Sequence, residues 1–508
     1  MDERSPLIQE GNTIDDYCRD DQVQAPVIAN YRRYPNHEDK AKPDKNELMD
    51  SQNSITDDST NTVILYKRRW YILILFSLVS TTQAAVWNTF GPIGNSVKFV
   101  FGWSDGILAL PPALGNVAYF IFPFTSWVMD DKGMRVAMVG ATLLMFCGTA
   151  LRCITTSPTA ATWLIMTGQL LNGLAGPVPF GGPSLMSSLW FPTNQRTTAT
   201  AIAAIFSYVG DASSFMLGIA FVSEPSSANS SLINASSYAN TSGPPFLDQQ
   251  KGEILNLMYT ECAVCGVLFL LVLIYFPDKP PTPPSASASK DRVDFKKGFG
   301  LLIRKPQFWL VGLAYSLPTG IFGSWVTILD INLGPIGIEQ NEASLLGFYA
   351  TVGGIVAGFV MSGVADCLSG QLKRMLVVLA SLSLGSVVWF CVIWMQTANS
   401  TQPADKVQLY TSIVLMGVFI NGGIPLLYEL ACETCFPVAE GITGGMLTGL
   451  NTTIGMIFLL LLFIPNIGAV WMNWCLLGSC VLSIPLLLSV TANYARLDID
   501  KKNQSGIS

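Results

Sequence analysis

The sequence predicts an all-α membrane protein whose helices form two bundles of six. About twelve apolar stretches, each roughly 20 to 25 residues long, lie between Trp70 and Thr491. A hydrophilic segment divides them into two sets, and half of the 508 residues are hydrophobic while 13% are charged. A helix of about 20 residues crosses the hydrocarbon core of a bilayer, so we expect twelve transmembrane helices embedded in lipid.

Residues 1–66 are acidic and precede the first apolar stretch. They hold 14 Asp or Glu and 7 Lys or Arg, without apolar periodicity, which predicts a disordered tail. The net charge of −6 therefore belongs to this tail and not to a binding surface. The tail lacks the basic, apolar and small-residue order of a cleaved signal peptide, so we expect the first membrane helix to direct targeting.

The apolar stretches define two bundles, an N-terminal one over 67–277 and a C-terminal one over 306–491. Between them lies a Pro-rich linker, 278–305, and after them a tail, 492–508. The predicted helices lie near 70–92, 106–129, 135–156, 162–187, 198–222, 255–277, 306–331, 343–366, 374–396, 406–431, 438–464 and 470–491.

Charge counting predicts that both termini are cytoplasmic. From Lys67 onward, that face would carry 18 Lys or Arg, and the opposite face only four: Lys98, Arg152, Lys251 and Lys406. Glycosylation sequons agree with this orientation, because they fall on the face with few basic residues. They are Asn229, Asn234 and Asn240 in the loop 223–255, and Asn399.

Two loops six helices apart resemble each other. Asp130, Asp131 and Arg135 join the second and third helices, and Asp366 and Arg374 join the eighth and ninth. Such loops can pair in one conformation and separate in another, which predicts a transporter gate. The alternative is that these residues only form turns and set topology.

Breaks in the helices point to a substrate site near the bilayer midplane. Helix 1 carries a tryptophan before Gly91-Pro92, and helix 7 carries another after Pro318. Indole faces suit a flat ring or an organic cation. Helix packing through small residues is the alternative. The predicted substrate-binding residues from these breaks are Trp87, Asn88, Gln169, Asn172, Trp325, Asn451 and Thr452.

Ionisable side chains are rare in the predicted helices, and each is a candidate for proton coupling. Asp211 lies at the centre of helix 5, Glu261 in helix 6, and Glu429 and Glu433 one turn apart in helix 10. Asp330 falls near the outer end of helix 7, and we expect it to be interfacial. The alternative for all of them is an interfacial charge or a structural hydrogen bond.

The sequence predicts no metal site, cofactor or enzymatic activity. The 11 cysteines are scattered, and we expect Cys432 and Cys435 to be structural despite their CxxC spacing. The only histidine is His37 in the tail, and no nucleophile–base pair is visible. We expect a monomer whose partners are a small-molecule substrate, protons and the lipid bilayer, and no nucleic acid.

Ordered strings also carry a family resemblance. They include Val86-Trp87-Asn88-Thr89, Gly91-Pro92-Ile93, Gly148 to Ile154, Gly168 to Pro177, Thr198 to Ala203, and Glu433 with Pro437-Val438 and Glu440 to Thr443. From about Lys67 to Arg496 the chain resembles the major facilitator superfamily and, within it, solute carrier family 49, with its lysosomal member as the nearest match. The resemblance implies a rocker-switch carrier and, for that member, proton-driven export of pyridoxine into the cytosol.

The resemblance also bears on the substrate site. Trp87 matches the helix-1 tryptophan with which the family's choline transporters enclose substrate, whereas Gly323 stands where their helix-7 tyrosine is expected. Their glutamines on helices 5 and 11 fall near Tyr208 and Thr452, which adds Tyr208 to the predicted site. These changes favour a stacking, hydrogen-bonding pocket for a neutral ring. Of the candidate carboxylates, only Asp211 lacks a counterpart in the lysosomal member.

A short tail motif predicts where the protein is sorted. Glu3, Leu7 and Ile8 fit the acidic dileucine pattern [DE]xxxL[LI], which sorting adaptors for endosomes and lysosomes read. The leading hypothesis is therefore a lysosomal, proton-coupled exporter of pyridoxine or a related vitamin-like solute. The alternatives are a facilitative choline, ethanolamine or heme carrier at the plasma membrane, and a membrane receptor or sensor that does not transport.

Overall fold

The computed structural model of the chain is helical throughout the part that it describes. The described residues are 66–225, 245–282, 295–368, 370–400, 405–435, 438, 440–464 and 467–491. The first 65 residues, residues 283–294 of the linker and the C-terminal tail therefore lie outside the description. No β-strand occurs among the described residues.

Ten helices lie before the linker in the part of the chain that the structure describes. They are α1 (Arg69–Trp87), α2 (Gly94–Phe101), α3 (Asp105–Val117), α4 (Phe122–Trp127), α5 (Met134–Arg152), α6 (Pro158–Ala175), α7 (Pro177–Gly181), α8 (Pro183–Trp190), α9 (Thr193–Phe221) and α10 (Pro245–Ile274). A short 3-10 segment, Ala118–Ile121, joins α3 to α4, and a π-helical turn, Val128–Lys132, follows α4.

Nine described helices follow the masked part of the linker. They are α11 (Phe295–Ile303), α12 (Pro306–Thr327), α13 (Leu329–Leu333), α14 (Gln340–Cys367), α15 (Leu372–Ala398), α16 (Lys406–Gly422), α17 (Ile424–Cys435), α18 (Glu440–Leu460) and α19 (Val470–Ser489). The 3-10 segments Gly334–Ile336 and Leu461–Phe463 extend α13 and α18.

Ten segments among the described residues are long and apolar enough to cross a membrane, each of them a single helix or two consecutive helices. The number is eleven if the bent pair α12–α13 is counted as one further span. The predicted helix near 162–187 is not among them. The structure divides it into α6, α7 and α8, with prolines starting the second and third pieces. Proline has no N–H to donate and cannot continue a preceding turn without strain, so the span is broken at Pro177 and Pro183.

Two predicted helix ends are also corrected. Helix 1 ends at Trp87 instead of residue 92, and the chain resumes helical geometry only at Gly94. Helix 7 ends at Thr327, where the chain turns by 79° into Leu329–Ile336. Pro92 has no N–H to donate to the carbonyl oxygen of Asn88, four residues before it, and it disfavours helical geometry in Gly91, so the first helix cannot continue through this segment.

Helix packing repeats between the two parts of the chain. The pairs α1–α9, α5–α6, α5–α10 and α3–α6 in the first part recur as α12–α18, α15–α16, α15–α19 and α14–α16 in the second. Two further pairs, α9–α14 and α3–α18, join the parts. Corresponding helices thus make corresponding contacts, which is the packing expected of two related helix bundles meeting along one interface.

Small residues allow the closest helix crossings. A methyl group added at Gly148 on α5 would lie 2.6 Å from the carbonyl oxygen of Gly168 on α6, and one added at Gly168 would overlap the carbonyl oxygen of Gly148. The two backbones are therefore in direct contact, as is common where membrane helices pack through small side chains.

Candidate functional site

A cavity of about 580 Å³ lies between the two parts of the chain and is partly open. Its walls come from the 3-10 segment Ala118–Ile121 and α4, α7, α8 and α9 on one side and from α14, α16, α17 and α18 on the other. The polar and aromatic lining residues include Tyr119, Phe180, Tyr208, Asn421, Tyr428, Glu429 and Thr448. A volume of this size holds a small organic molecule.

Aromatic rings and hydroxyl groups form part of the cavity lining. The hydroxyl groups of Tyr428 and Thr448 lie 2.8 Å apart, and the Tyr428 ring meets Tyr315 edge to face at 5.3 Å. Tyr119 and Phe180 form a second edge-to-face pair at 5.9 Å. Rings held in this way offer flat faces for stacking, and the hydroxyl groups can donate or accept hydrogen bonds.

The charge of the cavity is negative or neutral. Glu429 is the only carboxylate among the described lining residues, and none of those residues is Lys, Arg or His. Such a lining suits a neutral or weakly basic ring better than an anion, because an anion would have no cationic partner there.

At the end of the interface opposite the cavity, contacts between the two parts close the structure. We call this region the closed face; it consists of residues 88–105, 222–225 and 327–344. Gln340 accepts a hydrogen bond from the Ser96 backbone N–H at 2.9 Å, and its amide nitrogen donates to Ser96 Oγ at 3.0 Å. Ser344 Oγ donates to the Pro92 carbonyl oxygen at 2.8 Å.

Glu224 adds a charged contact to the closed face. Its carboxylate accepts hydrogen bonds from the backbone N–H groups of Gln340 and Asn341, the latter at 3.4 Å. These are the first two residues of α14, whose N-terminal N–H groups have no partner within the helix. A carboxylate from the first part therefore caps a helix of the second part, where it also complements the helix dipole.

A buried polar cluster supports the broken end of α1. Arg152, 1% exposed, pairs with Glu261 at 3.5 Å, and its guanidinium also donates to Gln169 Oε1 and, at 3.4 Å, to the Val86 carbonyl oxygen. Thr89 Oγ1 donates to Glu261 Oε1 at 2.6 Å. The charge count placed Arg152 in a loop of the outer face, so this cluster was not predicted from the sequence. Both residues nevertheless lie inside predicted spans, Arg152 in 135–156 and Glu261 in 255–277.

The predicted residues of helices 1 and 4 pack around this cluster. Gln169 Nε2 donates to the Trp87 carbonyl oxygen at 2.8 Å, and the Trp87 indole packs against Gly115 on α3. Asn88 Nδ2 donates to Ser214 Oγ at 2.8 Å, and Asn172 Nδ2 donates to the Gln83 carbonyl oxygen at 3.3 Å. None of these four predicted residues lines the cavity.

The predicted residues of helices 7 and 11 lie in the second part. Trp325 is fully buried, and its indole N–H donates to Asn473 Oδ1 at 3.2 Å. Asn451 Oδ1 accepts from Thr319 at 3.1 Å, and Thr452 Oγ1 donates to the Thr448 carbonyl oxygen at 3.0 Å. These three do not line the cavity either, whereas Tyr208 does.

The four candidate carboxylates occupy different environments. Glu429 faces the cavity, and Glu433, one turn further along α17, is 6% exposed with no hydrogen-bond partner for Oε2 among the described residues. Asp211 is half-buried on α9 and does not line the cavity. Glu261 belongs to the Arg152 cluster. Asp330, expected at an interface with water, is instead 4% exposed.

The predicted gate loops do not pair with each other through the described side chains. Asp131 forms an exposed ion pair with Lys132 at 3.0 Å, and the Arg135 backbone N–H donates to Asp278 at 3.1 Å. Arg374 is exposed. The side chains of Asp130 and Asp366 lie outside the description.

Other predicted sites fall mostly beyond the described residues. The sorting residues Glu3, Leu7 and Ile8 and the sequons Asn229, Asn234 and Asn240 lie in undescribed segments. Asn399 ends α15 and is exposed. Within the described ranges, no group of three or more His, Cys, Asp or Glu side chains could hold a metal ion.

Comparisons with known proteins identify the class to which this architecture belongs. The sequence pattern of the Major Facilitator Superfamily matches residues 77–458. A solved structure, a D-xylose–proton symporter, has a similar fold, with a TM-score of 0.58 at 14% identity over 84% of this chain and 98% of its own. The chain therefore belongs to the major facilitator superfamily of multi-pass membrane transporters.

Sequence relatives place the chain more narrowly. It is 36% identical to the solute carrier family 49 member 4 homolog of Xenopus tropicalis over 437 residues, which are 86% of this chain and 94% of the relative. It is 27% identical to the choline/ethanolamine transporter FLVCR1 of Mus terricolor over 78% of this chain and 70% of that protein. Within the superfamily, the chain is a member of solute carrier family 49.

Proposed function

We propose that the protein is a lysosomal, proton-coupled carrier that exports pyridoxine or a related vitamin-like solute to the cytosol by alternating access. The observation that carries this proposal is the cavity between the two parts of the chain, which is shut at the closed face and partly open elsewhere. When two related bundles rock against each other, a site enclosed between them is exposed alternately to either side of the membrane.

The lining of the cavity supports the proposed class of solute. A pyridine ring bearing hydroxyl groups could stack on the faces of Tyr119, Tyr208 or Tyr428 and hydrogen-bond to Asn421 or Thr448. The predicted roles of Trp87 and Trp325 would then be to support the helices around the site, although direct contact in another conformation stays a prediction.

The topology and coupling are part of the proposal. We propose twelve membrane spans, with the broken segment α6–α8 counted as one, and cytoplasmic termini, so that the closed face is luminal and the cavity opens to the cytosol. Glu429, Glu433, Glu261 and Asp211 remain the candidates for proton coupling. Among them, Glu429 is supported by its place in the cavity wall.

Uptake by cells tests the substrate and the location together. Replacing Leu7 and Ile8 by alanine should route the protein to the cell surface, where the luminal face meets the medium. We expect labelled pyridoxine uptake to rise several-fold at pH 5 relative to pH 7.4, and Tyr208→Ala to lower it at least about tenfold, the loss expected when a ring that stacks on substrate is removed.

The matched control for that experiment is Phe206→Ala. Phe206 is exposed to a similar extent, 37% against 36% for Tyr208, on the same helix, but it does not line the cavity. Its replacement should leave uptake within about twofold, as expected for an aromatic ring that makes no contact with substrate. Absence of acid-stimulated pyridoxine uptake by a surface-expressed protein would refute the substrate assignment.

A second candidate is facilitative transport of choline or ethanolamine at the plasma membrane. The aromatic lining with one carboxylate, Glu429, favours it, because aromatic faces and a negative charge both attract an ammonium group. The likeness to FLVCR1, whose name describes choline and ethanolamine transport, supports it as well. Uptake of labelled choline that does not depend on pH, by protein with an intact tail at the cell surface, would favour this alternative.

A further inference from the structure

Asp330 is the carboxylate of the closed face whose burial depends on contact between the two parts of the chain. It lies on α13, the short helix after the 79° bend that ends helix 7. A methyl group added at Gly94, on α2 of the first part, would overlap Asp330 Oδ2. Gly94 therefore covers the carboxyl group directly, and separating the two parts would uncover it.

The carboxyl group has no side-chain hydrogen-bond partner in this position. Asp330 is 4% exposed, no described side chain donates to Oδ1 or Oδ2, and the only donors that act on the group are its own backbone N–H and that of Ile331. A buried carboxylate with so few donors has lost its hydration and gained little in return, whereas the neutral acid loses far less on burial. Burial between Gly94 and α13 therefore favours the protonated form of this group.

The neighbouring charges do not replace the missing partner. Lys98 on α2 is the cationic side chain that acts on Asp330, but its ammonium group forms an ion pair with Asp105 at 2.6 Å. On α14, which packs against α13, the Glu342 carboxylate binds Lys406 at 2.7 Å and accepts from the Tyr410 hydroxyl.

Of the other described carboxylates at this face, Glu339 is exposed to solvent and the remaining three are partnered. Asp105 has Lys98, Glu342 has Lys406 and Tyr410, and Glu224 accepts from the N-terminus of α14. The carboxylate of Glu261 is also buried, but its partners Arg152 and Thr89 belong to the same part of the chain. Opening the closed face would leave the Glu261 contacts in place and change the surroundings of Asp330.

We propose that Asp330 binds a proton from the luminal side when the closed face forms, so that acidity on that side drives closure. The closed state binds one more proton than the open state at this site. Closure is therefore favoured as the pH falls, and the open state is favoured as the pH rises, with a change of up to about tenfold in their ratio per pH unit. This step gives the acidic compartment control over loading of the carrier.

The orientation in this inference rests on the proposed function, but the pH-dependent closure does not depend on the substrate. The test measures closure directly, by electron–electron distances between spin labels on exposed positions of the two parts, Thr159→Cys and Asn399→Cys, in nanodiscs from pH 4.5 to 7.5. The full-length chain is used with its reactive native cysteines replaced. No substrate is added, so failure of the pyridoxine assignment leaves the result interpretable.

We expect the closed population of the labelled parent protein to rise at least about tenfold relative to the open population as the pH falls, the change that one linked proton produces over one pH unit. Asp330→Asn, which keeps the shape and removes the titration, should close at every pH with less than about twofold variation. Glu342→Gln, the matched control at a partnered carboxylate of the same face, should keep the parent pH dependence. Asp330→Asn with the parent pH dependence, or a labelled parent whose closed population does not change with pH, would overturn the proposal.

A second variant keeps the proposal testable if Asp330→Asn does not fold. Lys98→Met removes the cation that acts on Asp330 and leaves the charge of Asp105 unpaired. Both changes favour the protonated acid, so the midpoint of closure should move to higher pH. A midpoint that is unchanged or moves to lower pH contradicts a proton on Asp330.

Discussion

The Arg152–Glu261 pair illustrates how single residues decide the geometry near the predicted substrate site. Arg152 reaches the Val86 carbonyl oxygen directly and the Trp87 carbonyl oxygen through Gln169. Carbonyl groups at the end of a helix lack partners within it, and in a membrane they cannot turn to water. The cluster therefore supplies donors where Gly91 and Pro92 break the first helix.

Removing one member of this pair should lower the free energy of unfolding more than removing both. Arg152→Met leaves the Glu261 carboxylate buried beside a single hydroxyl donor, Thr89, and we expect the free energy of unfolding to fall by about 3–5 kcal/mol. The double variant Arg152→Met/Glu261→Gln leaves no buried charge behind, so its free energy of unfolding should fall by less than that of Arg152→Met. Thermal or denaturant unfolding of the purified protein in detergent, arranged as a double-mutant cycle, measures the difference.

The single variant Glu261→Gln completes that cycle, because glutamine keeps an oxygen for the Thr89 hydroxyl. If the losses of the two single variants simply add in the double variant, the pair is not energetically coupled. The interpretation of Arg152 as the partner of a buried charge would then be wrong.

At the scale of helices, the sequence predicted where segments lie more accurately than where they break. The predicted spans 374–396 and 470–491 differ from α15 and α19 by a few residues, since long apolar runs fix the length that a bilayer requires. The span near 162–187 is broken at Pro177 and Pro183, and helix 7 bends after Thr327. Whether a proline breaks or only bends a membrane helix depends on the partners its neighbours offer, which hydropathy does not record.

Close helix crossings give a prediction at this scale. Gly148→Ala would place a methyl group 2.6 Å from the Gly168 carbonyl oxygen, so α5 and α6 would have to separate. We expect the free energy of unfolding to fall by about 1–3 kcal/mol, measured as loss of thermal stability in detergent.

Gly140→Ala is the matched control, because Gly140 lies on the same helix and nothing lies within 4 Å of an added methyl group. Alanine is the better helix former by about 1 kcal/mol, so this variant should be neutral or slightly more stable. Equal losses at the two positions would mean that the crossing does not depend on Gly148.

For the whole molecule, contacts at the closed face set the balance between conformations. Gln340 makes two hydrogen bonds to Ser96, and its backbone N–H meets the Glu224 carboxylate. These contacts join the two parts and would be lost on opening. A difference of about 1.4 kcal/mol changes the ratio of two states tenfold, so a few such bonds suffice to control it.

Gln340→Ala should therefore favour the open form of this face by about tenfold, because both side-chain hydrogen bonds are lost while the backbone contact to Glu224 remains. The distance between labels at Thr159→Cys and Asn399→Cys in nanodiscs reports the change. Gln371→Ala, an exposed glutamine in the same part of the chain, is the control and should leave the distance distribution unchanged. Unaltered distances in Gln340→Ala would show that other contacts hold the face shut.

The sequence by itself determined the class of protein, its helical content and its family. Apolar length and loop charge are summed over many residues, so a single misplaced residue does not change those conclusions. Tyr208 and Glu429, chosen from sequence, do line the cavity. Trp325, chosen by the same reasoning, is fully buried against Asn473.

Only the tertiary structure decided which side of each helix faces the cavity. A helix that is apolar all round gives no pattern from which to read its rotation, so its polar residues can face a cavity, a neighbouring helix or a buried ion pair. The structure thus paired Arg152 with Glu261 and buried Asp330 against Gly94. These are contacts between residues far apart in the sequence, and their energies depend on burial and distance, which exist only once the helices have packed.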